Sequence, residues 1–94
     1  MDAPSVLTEV PFSLRREGAD GEELLTGIID LVYRFEDGWK VVDYKTDVGS
    51  EAHLVHAYAP QVRLYSDAWE ALSGDAVSER GLWWIPTMRW IPIT

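Results

Sequence analysis

The sequence predicts one mixed α/β domain in which three strands precede a helix and two strands follow it. Two apolar runs, LLTGIIDLVYRF and WKVVDYKT, flank the segment Glu36-Asp37-Gly38, which is the pattern of a β-hairpin. A helical spacing of Gln61, Tyr65, Ala68, Trp69 and Leu72 then leads to Gly74, a typical helix cap. The last segment, GLWWIPTMRWIPIT, contains two short apolar runs around a turn. We therefore expect the order β-β-β-α-β-β.

The remaining connections complete this prediction. Residues 6–14 form the first strand, with a Pro at an edge position or a bulge, and the polar residues 17–22 end it. Residues 46–52 form a loop before the helix. Pro60 predicts either a kink or a main helix that starts near Ala59 with Pro60 in its first turn.

Composition limits the classes of protein. The 94 residues are 47% apolar and include five Trp, which predicts one packed domain. With no Cys, the chain has no disulfide and no cysteine-ligated iron–sulfur cluster. We find no signal peptide and no apolar run of ~20 residues, so we expect a cytoplasmic chain that does not contact a membrane.

The negative net charge of the chain opposes the binding of nucleic acid. Eight Lys and Arg stand against sixteen Asp and Glu, which gives a net charge of −8. Proteins that bind nucleic acid unaided usually present a basic face. If the substrate is DNA, most of the affinity must therefore come from metal ions or from surfaces outside this chain.

The central hairpin predicts a cluster of charged side chains. With Asp37 and Gly38 as a two-residue loop, opposed residues sum to 75 and Asp30 lies across from Lys45. Alternation along the strands then places Asp30, Asp43 and Lys45 on one face. A two-residue or a four-residue loop preserves this shared face, whereas a regular three-residue loop would break it.

Such a cluster suits phosphate chemistry. Carboxylates are hard ligands for Mg²⁺ or Mn²⁺, and a neighbouring ammonium can position water or stabilise developing negative charge. The residues thus predict a metal-dependent phosphodiesterase. The triplet Asp43-Tyr44-Lys45 alone is also consistent with a salt-bridged strand end.

Both faces of the hairpin are apolar, and one helix cannot cover both. Either a second copy covers the other face or the chain is part of something larger, and we favour the latter.

The motifs resemble a known family. The segments GIIDLV at 27–32 and VVDYKT at 41–46 are followed by Tyr58 and then by QVRLY at 61–65. Together they resemble the RecB-type branch of the PD-(D/E)xK superfamily, and more narrowly the C-terminal nuclease domain of bacterial AddA and RecB helicase–nucleases. The likeness runs from about Glu9 to the end of the helix.

The resemblance implies a metal site. By position, Asp30 and Asp43 match the metal-binding acids of the family, and the backbone carbonyl of Tyr44 matches a further ligand. Glu9 matches an acidic position in the first strand. The implied cofactor is Mg²⁺, for which Mn²⁺ can substitute, and no ATP site is implied in this chain.

The resemblance also implies catalytic side chains. Lys45 matches the catalytic lysine, and Gln61 and Tyr65 match a pair that borders the active site. Their i,i+4 spacing places this pair on one helical face, which is also the pattern of a tyrosine packed into the core. His53 and His56 do not match a family position, and we interpret them as surface or helix-start residues.

The implied fold is a restriction-endonuclease-like core that is incomplete at its N-terminus, because the family uses a His or Glu from a helix upstream of the first strand. We expect residues 1–94 to be a partial RecB-type nuclease domain, weak or inactive alone. The implied activity is Mg²⁺-dependent hydrolysis of DNA, exonucleolytic or endonucleolytic, in DNA end processing and recombinational repair. The implied partners are DNA, the helicase region of the same polypeptide and a partner subunit, with self-association through an uncovered sheet face. The alternatives are a non-catalytic scaffold or DNA-docking module of the same fold, and a small protein-interaction domain.

Overall fold

The computed structural model describes residues 5–36 and 38–94, which form a five-stranded sheet with a helix packed on it. The elements are β1 (Val6–Gly18), β2 (Gly21–Phe35), β3 (Gly38–Lys45), α1 (Glu51–Ser73), β4 (Val77–Trp84), a 3₁₀ turn (Ile85–Thr87) and β5 (Arg89–Pro92). The strands lie in the order β1-β2-β3-β4-β5, and every neighbouring pair is antiparallel except β3 and β4. The predicted class and element order are confirmed.

The parallel pair brings the ends of two strands together. A parallel connection needs a crossover, and α1 supplies it between β3 and β4. Lys45 therefore pairs with Trp84, each at the C-terminal end of its strand. This edge of the sheet carries the candidate site.

Helix α1 is longer at its start than predicted. The Ser50 hydroxyl accepts a hydrogen bond from the His53 N–H at 3.1 Å and caps the helix, so the loop is residues 46–50. The alternative of a main helix starting near Ala59 is wrong, because Pro60 lies inside the helix with its side chain exposed. Gly74 ends the helix as predicted, with φ 75° and its N–H donating to the Glu70 carbonyl at 3.0 Å.

Two apolar clusters hold α1 on the sheet. The early part of the helix packs on β4 and β5 and the later part on β1, β2 and β3. The first cluster contains Leu54, Ala59, Val62, Leu82, Trp84, Ile91 and Ile93. The second contains Phe12, Ile29, Val32, Trp39, Val41, Tyr65, Ala68 and Trp69. Packing on both sides of Pro60 compensates for the helical hydrogen bond that a proline cannot donate. Leu72, predicted on the same face, is instead 51% exposed.

The first hairpin is longer than predicted. Its pairing continues to Gly18 and Gly21, so two residues connect the strands, and a polar connection over 17–22 is wrong. Gly21 has φ 107°, a backbone conformation that favours glycine in a tight turn. Cross-strand ion pairs, including Arg16 with Glu23 at 3.0 Å, extend the hairpin where the sequence had suggested a loop.

The central hairpin has a different register from the predicted one. Phe35 pairs with Gly38, so opposed residues sum to 73 and not to 75, and the glycine belongs to the strand. A Cβ at Gly38 would lie 3.1 Å from the Ala76 carbonyl oxygen, which explains why glycine is needed there and not in the turn. Asp37, the other residue of the predicted turn, lies outside the described residues. The sum changes by two, which is an even number. Residues 30 and 43 therefore remain on the same face of the sheet.

The side chains of β2 do not alternate regularly between the two faces of the sheet near Asp30. Ile29 and Val32 both belong to the second cluster although they are three positions apart, and Ile28 is 57% exposed. Regular alternation along β2 would place Ile28 on the same face as Val32, so the alternation is interrupted between them. In the paired strand, Glu9 has φ 51° and lies between the pairs Thr8–Leu31 and Val10–Ile29. This irregular residue lies opposite Asp30, where the alternation of β2 is interrupted.

The second face of the sheet is only partly covered. Trp39 and Val41 contact the helix side, yet Lys40 and Val42, which alternate with them, are also buried. Lys40 Nζ donates to the Ser78 hydroxyl at 2.7 Å, which satisfies the buried ammonium in part. Apolar side chains still exposed on the strands are Val6, Leu24, Ile28, Phe35 and Tyr44. Across residues 5–36 and 38–94, we find no helix with the length and apolar content needed to cross a membrane.

Candidate active site

The site forms where β2 separates from β3. Their ladder ends at the pair Leu31–Val42, so the next residues of β3 need other hydrogen-bond partners. Asp30 provides one, because its Oδ2 accepts a hydrogen bond from the Tyr44 N–H at 2.8 Å. The Asp30 carboxylate is thereby fixed against the end of β3.

Asp43 is a buried carboxylate beside Asp30. It is 4% exposed, and burial together with the neighbouring Asp30 carboxyl raises the pKa of Asp43 to about 6 against the opposing effect of Lys45. Its Oδ2 lies 3.0 Å from Lys45 Nζ, but outside hydrogen-bond geometry. Beyond this ion pair the buried oxygen has no hydrogen bond, which is an arrangement that a bound cation would satisfy.

The Lys45 amine is held from several directions. Lys45 Nζ donates to Gln61 Oε1 at 3.3 Å and lies 4.1 Å from the centroid of the Tyr58 ring. Gln61 Nε2 in turn donates to the Tyr65 hydroxyl at 3.0 Å. Burial, followed by the charges of the two aspartates, raises the pKa of Tyr65, which keeps its phenol protonated. A continuous polar chain thus links the helix to the carboxylates.

Packing fixes this chain to the sheet. The ring of Tyr65 meets the ring of Phe12 edge to face, with centroids 5.5 Å apart and planes at 75°. A Cβ at Gly27 would lie 2.9 Å from the Phe12 ring and 3.2 Å from the Tyr65 ring. Glycine at 27 therefore allows both rings to pack on β2, and Tyr65 belongs to the core and to the site at once.

Other predicted residues contribute less directly. Glu9 lies opposite Asp30 in the strand register, but its side chain is exposed. His53 and His56 are exposed on the first turns of α1. In the part of the chain that the structure describes, no three His, Asp or Glu side chains are grouped closely enough to hold a metal ion. The candidate metal ligands are therefore two carboxylates and a backbone carbonyl.

Sequence reasoning missed two residues beside the lysine. Tyr58 belongs to the sequence motif, but the motif predicted no function for it. Asp47 was predicted only as part of the loop before the helix. The Tyr58 hydroxyl donates to Asp47 Oδ2 at 2.7 Å. The spacing of Tyr58 and Gln61, three residues apart on a helix, was the available signal for a shared face.

The candidate site thus combines an acidic pair from β2 and β3, a lysine at the end of β3, and a glutamine and a tyrosine on α1. Residues 3–88 match the PD-(D/E)XK nuclease superfamily, and the chain belongs to this family. The predicted resemblance is confirmed.

The chain is also similar to individual named proteins. The chain is 37% identical over 86 residues to a Clostridium perfringens protein that is named as a subunit of an ATP-dependent helicase/nuclease, and the match covers 82% of the chain. Proteins of the same name from Lysinibacillus sphaericus and Lactiplantibacillus plantarum are 34% and 35% identical over 86% and 99% of the chain. These matches cover only 7% to 8% of the length of the three relatives.

Proposed function

We propose that residues 1–94 act as the nuclease domain of a larger ATP-dependent helicase–nuclease and hydrolyse phosphodiester bonds in DNA with the help of Mg²⁺. The observation that carries this proposal is the buried Asp43 carboxylate, which lies beside Asp30 and the Lys45 amine. The names and far greater length of the relatives support the larger context. Roles in DNA end processing and recombinational repair, a cytoplasmic location and a partner subunit follow from the same proposal.

The ligands that would hold Mg²⁺ are the carboxylates of Asp30 and Asp43 and the carbonyl of Tyr44. They fit a hard cation because all are oxygen donors, and because Asp43 has a buried oxygen with no hydrogen bond beyond its ion pair with Lys45. When bound, such an ion would polarise the phosphoryl group and lower the pKa of a bound water. Mn²⁺ has the same preference for oxygen ligands and should substitute.

The lysine would act on the reacting phosphate. In the hydrolysis, a water oxygen forms a bond to phosphorus, the bond from phosphorus to the leaving oxygen breaks, and the leaving oxygen takes up a proton. The Lys45 ammonium would donate hydrogen bonds to the attacking water or to a phosphate oxygen whose negative charge increases. Gln61 would orient the amine, and Tyr65 would orient Gln61 through the contacts already described.

Binding of DNA must draw on more than this chain. Its net charge of −8 repels a phosphate backbone, and a cation held at the site would offset only part of that repulsion. We therefore propose that the helicase region of the parent polypeptide supplies most of the affinity for DNA. The 94-residue chain alone should cleave weakly or not at all.

A cleavage assay tests the proposal. The parent polypeptide should cleave linear DNA in Mg²⁺, should stop when EDTA is added, and should recover when Mg²⁺ or Mn²⁺ is restored. The same assay on the 94-residue chain should give much slower cleavage. Cleavage that continues in EDTA would contradict the metal role, and binding of DNA by the parent without any cleavage would favour a non-catalytic module.

A further inference from the structure

The Lys45 amine lies close to both an aromatic ring and a carboxylate. Its Nζ lies 4.1 Å from the centroid of the Tyr58 ring and 3.0 Å from Asp43 Oδ2. The face of an aromatic ring attracts an ammonium, and lysine rotamers are otherwise costly to order. A fixed ring at this position therefore limits where the amine can go.

The ring itself is held by the loop after β3. The Tyr58 hydroxyl donates to Asp47 Oδ2 at 2.7 Å, and this hydrogen bond is the main reason that the pKa of Tyr58 is raised. Asp47 is also fixed through its backbone, because the Trp84 indole N–H donates to the Asp47 carbonyl at 2.7 Å. Trp84 is 6% exposed and belongs to a core cluster, so the loop is tied to the core.

We propose that Tyr58 and Asp47 form a positioning pair that directs the Lys45 amine toward the reacting phosphate, an inference that rests on the proposed catalytic role of Lys45. Tyr58 and Gln61 are three residues apart on α1 and approach the amine from the same helical face. Gln61 supplies a hydrogen bond at 3.3 Å, and Tyr58 supplies a surface that the amine cannot cross. Asp47 sets the angle of that surface without touching the amine.

The position of the amine can be observed directly by NMR of the full 94-residue chain. The chain has two lysines, Lys40 and Lys45, so their ε-methylene signals are easily separated. Ring currents from Tyr58 should shift the Lys45 signal upfield. Tyr58→Leu should return it toward the value of a free lysine, and Asp47→Ala should reduce the shift although the ring remains. The Lys40 signal should stay in place in both variants, because Lys40 contacts Ser78 and Glu79 instead.

Cleavage by the parent polypeptide provides a second readout. Tyr58→Leu should lower kcat about 10-fold to 30-fold with little change in KM, because a displaced catalytic group slows the chemical step and not the binding of DNA. Tyr58→Phe and Asp47→Ala should each lower kcat about 3-fold to 10-fold, and the double variant should be no slower than either single one. Tyr33→Leu, a matched loss of a half-buried tyrosine in β2, should leave kcat unchanged.

The outcomes separate this inference from the proposed function. If Asp43→Asn cleaves as fast as the unsubstituted protein, the proposed function fails. If Asp43→Asn is inactive while Tyr58→Leu matches Tyr33→Leu, the positioning pair alone is overturned. An unshifted Lys45 signal in the unsubstituted chain, or additive losses from Tyr58→Phe and Asp47→Ala, would also overturn it.

Discussion

Replacing Asp43 with Asn is expected to abolish Mg²⁺-dependent cleavage while making the chain more stable at pH 7. The amide has nearly the same shape but is a poor ligand for Mg²⁺, so cleavage should fall by about 10³-fold or more. Stability should rise by about 1–2 kcal/mol, because the buried carboxylate is costly to ionise. Both effects have one cause, which is the buried negative charge of Asp43. This charge would bind the cation, and it destabilises the fold when no cation is bound.

The pH dependence identifies that cause. The pKa of Asp43 is raised from 3.8 to about 6 in the folded chain, so the unfolded chain loses this proton first and stability falls as the pH rises across that interval. The advantage of Asp43→Asn should therefore be full above pH 6 and should disappear as the pH falls toward 3.8. Urea unfolding of both chains at several pH values measures it. Asp67→Asn, at an exposed position of α1, should change stability by only about ±0.5 kcal/mol and leave cleavage intact. A gain for Asp43→Asn that is the same at both ends of this pH range would be inconsistent with a desolvated carboxylate.

Replacing Lys45 with Ala should also stop cleavage, but through a different step. Loss of a positioned cation at a developing charge typically slows a reaction by about 10²-fold to 10⁴-fold. Binding of Mn²⁺ should remain or become tighter, because the Lys45 ammonium competes for Asp43 Oδ2 at 3.0 Å. Lys45→Arg should not restore the rate, since a planar guanidinium cannot occupy the place of a compact ammonium between Gln61 and Tyr58.

Kinetics and metal titration of the same samples distinguish the two substitutions. Asp43→Asn should lose both cleavage and specific Mn²⁺ binding, whereas Lys45→Ala should lose cleavage alone. Arg15→Ala removes an exposed cation near the far end of β1 and should have little effect on either property. Cleavage by Lys45→Ala at the unsubstituted rate would remove the lysine from the mechanism.

Local patterns in the sequence were sufficient for the elements and their order. The Gly74 cap and the spacing of Tyr65 and Trp69 depend on residues within a few positions of one another. The common face of Asp30 and Asp43 also survived, although the register was wrong, because a shift of two residues leaves strand alternation unchanged. The proximity of Asp30 and Asp43 could therefore be predicted without the correct turn.

Features that depend on distant contacts could not be predicted in this way. Gly38 belongs to β3 because the Ala76 carbonyl approaches it, and Ala76 is far away in the sequence. The interrupted alternation of β2 near Asp30 coincides with the left-handed conformation of Glu9 in the neighbouring strand, which no local pattern of β2 indicates. Asp47 is fixed by the Trp84 indole, a bond that exists only after β4 has paired with β3.

Titration with Mn²⁺ followed by NMR tests most directly whether this cluster holds a catalytic metal. The signals of Asp30, Asp43 and Tyr44 should broaden first, at Mn²⁺ concentrations that leave the other acidic residues unaffected. This selectivity should disappear in Asp43→Asn and persist in Asp67→Asn. Affinity should be modest, because two carboxylates and one carbonyl are a small ligand set for such a cation. Broadening spread evenly over the sixteen Asp and Glu residues would show non-specific attraction to a chain of charge −8 and would contradict a metal site at Asp30 and Asp43.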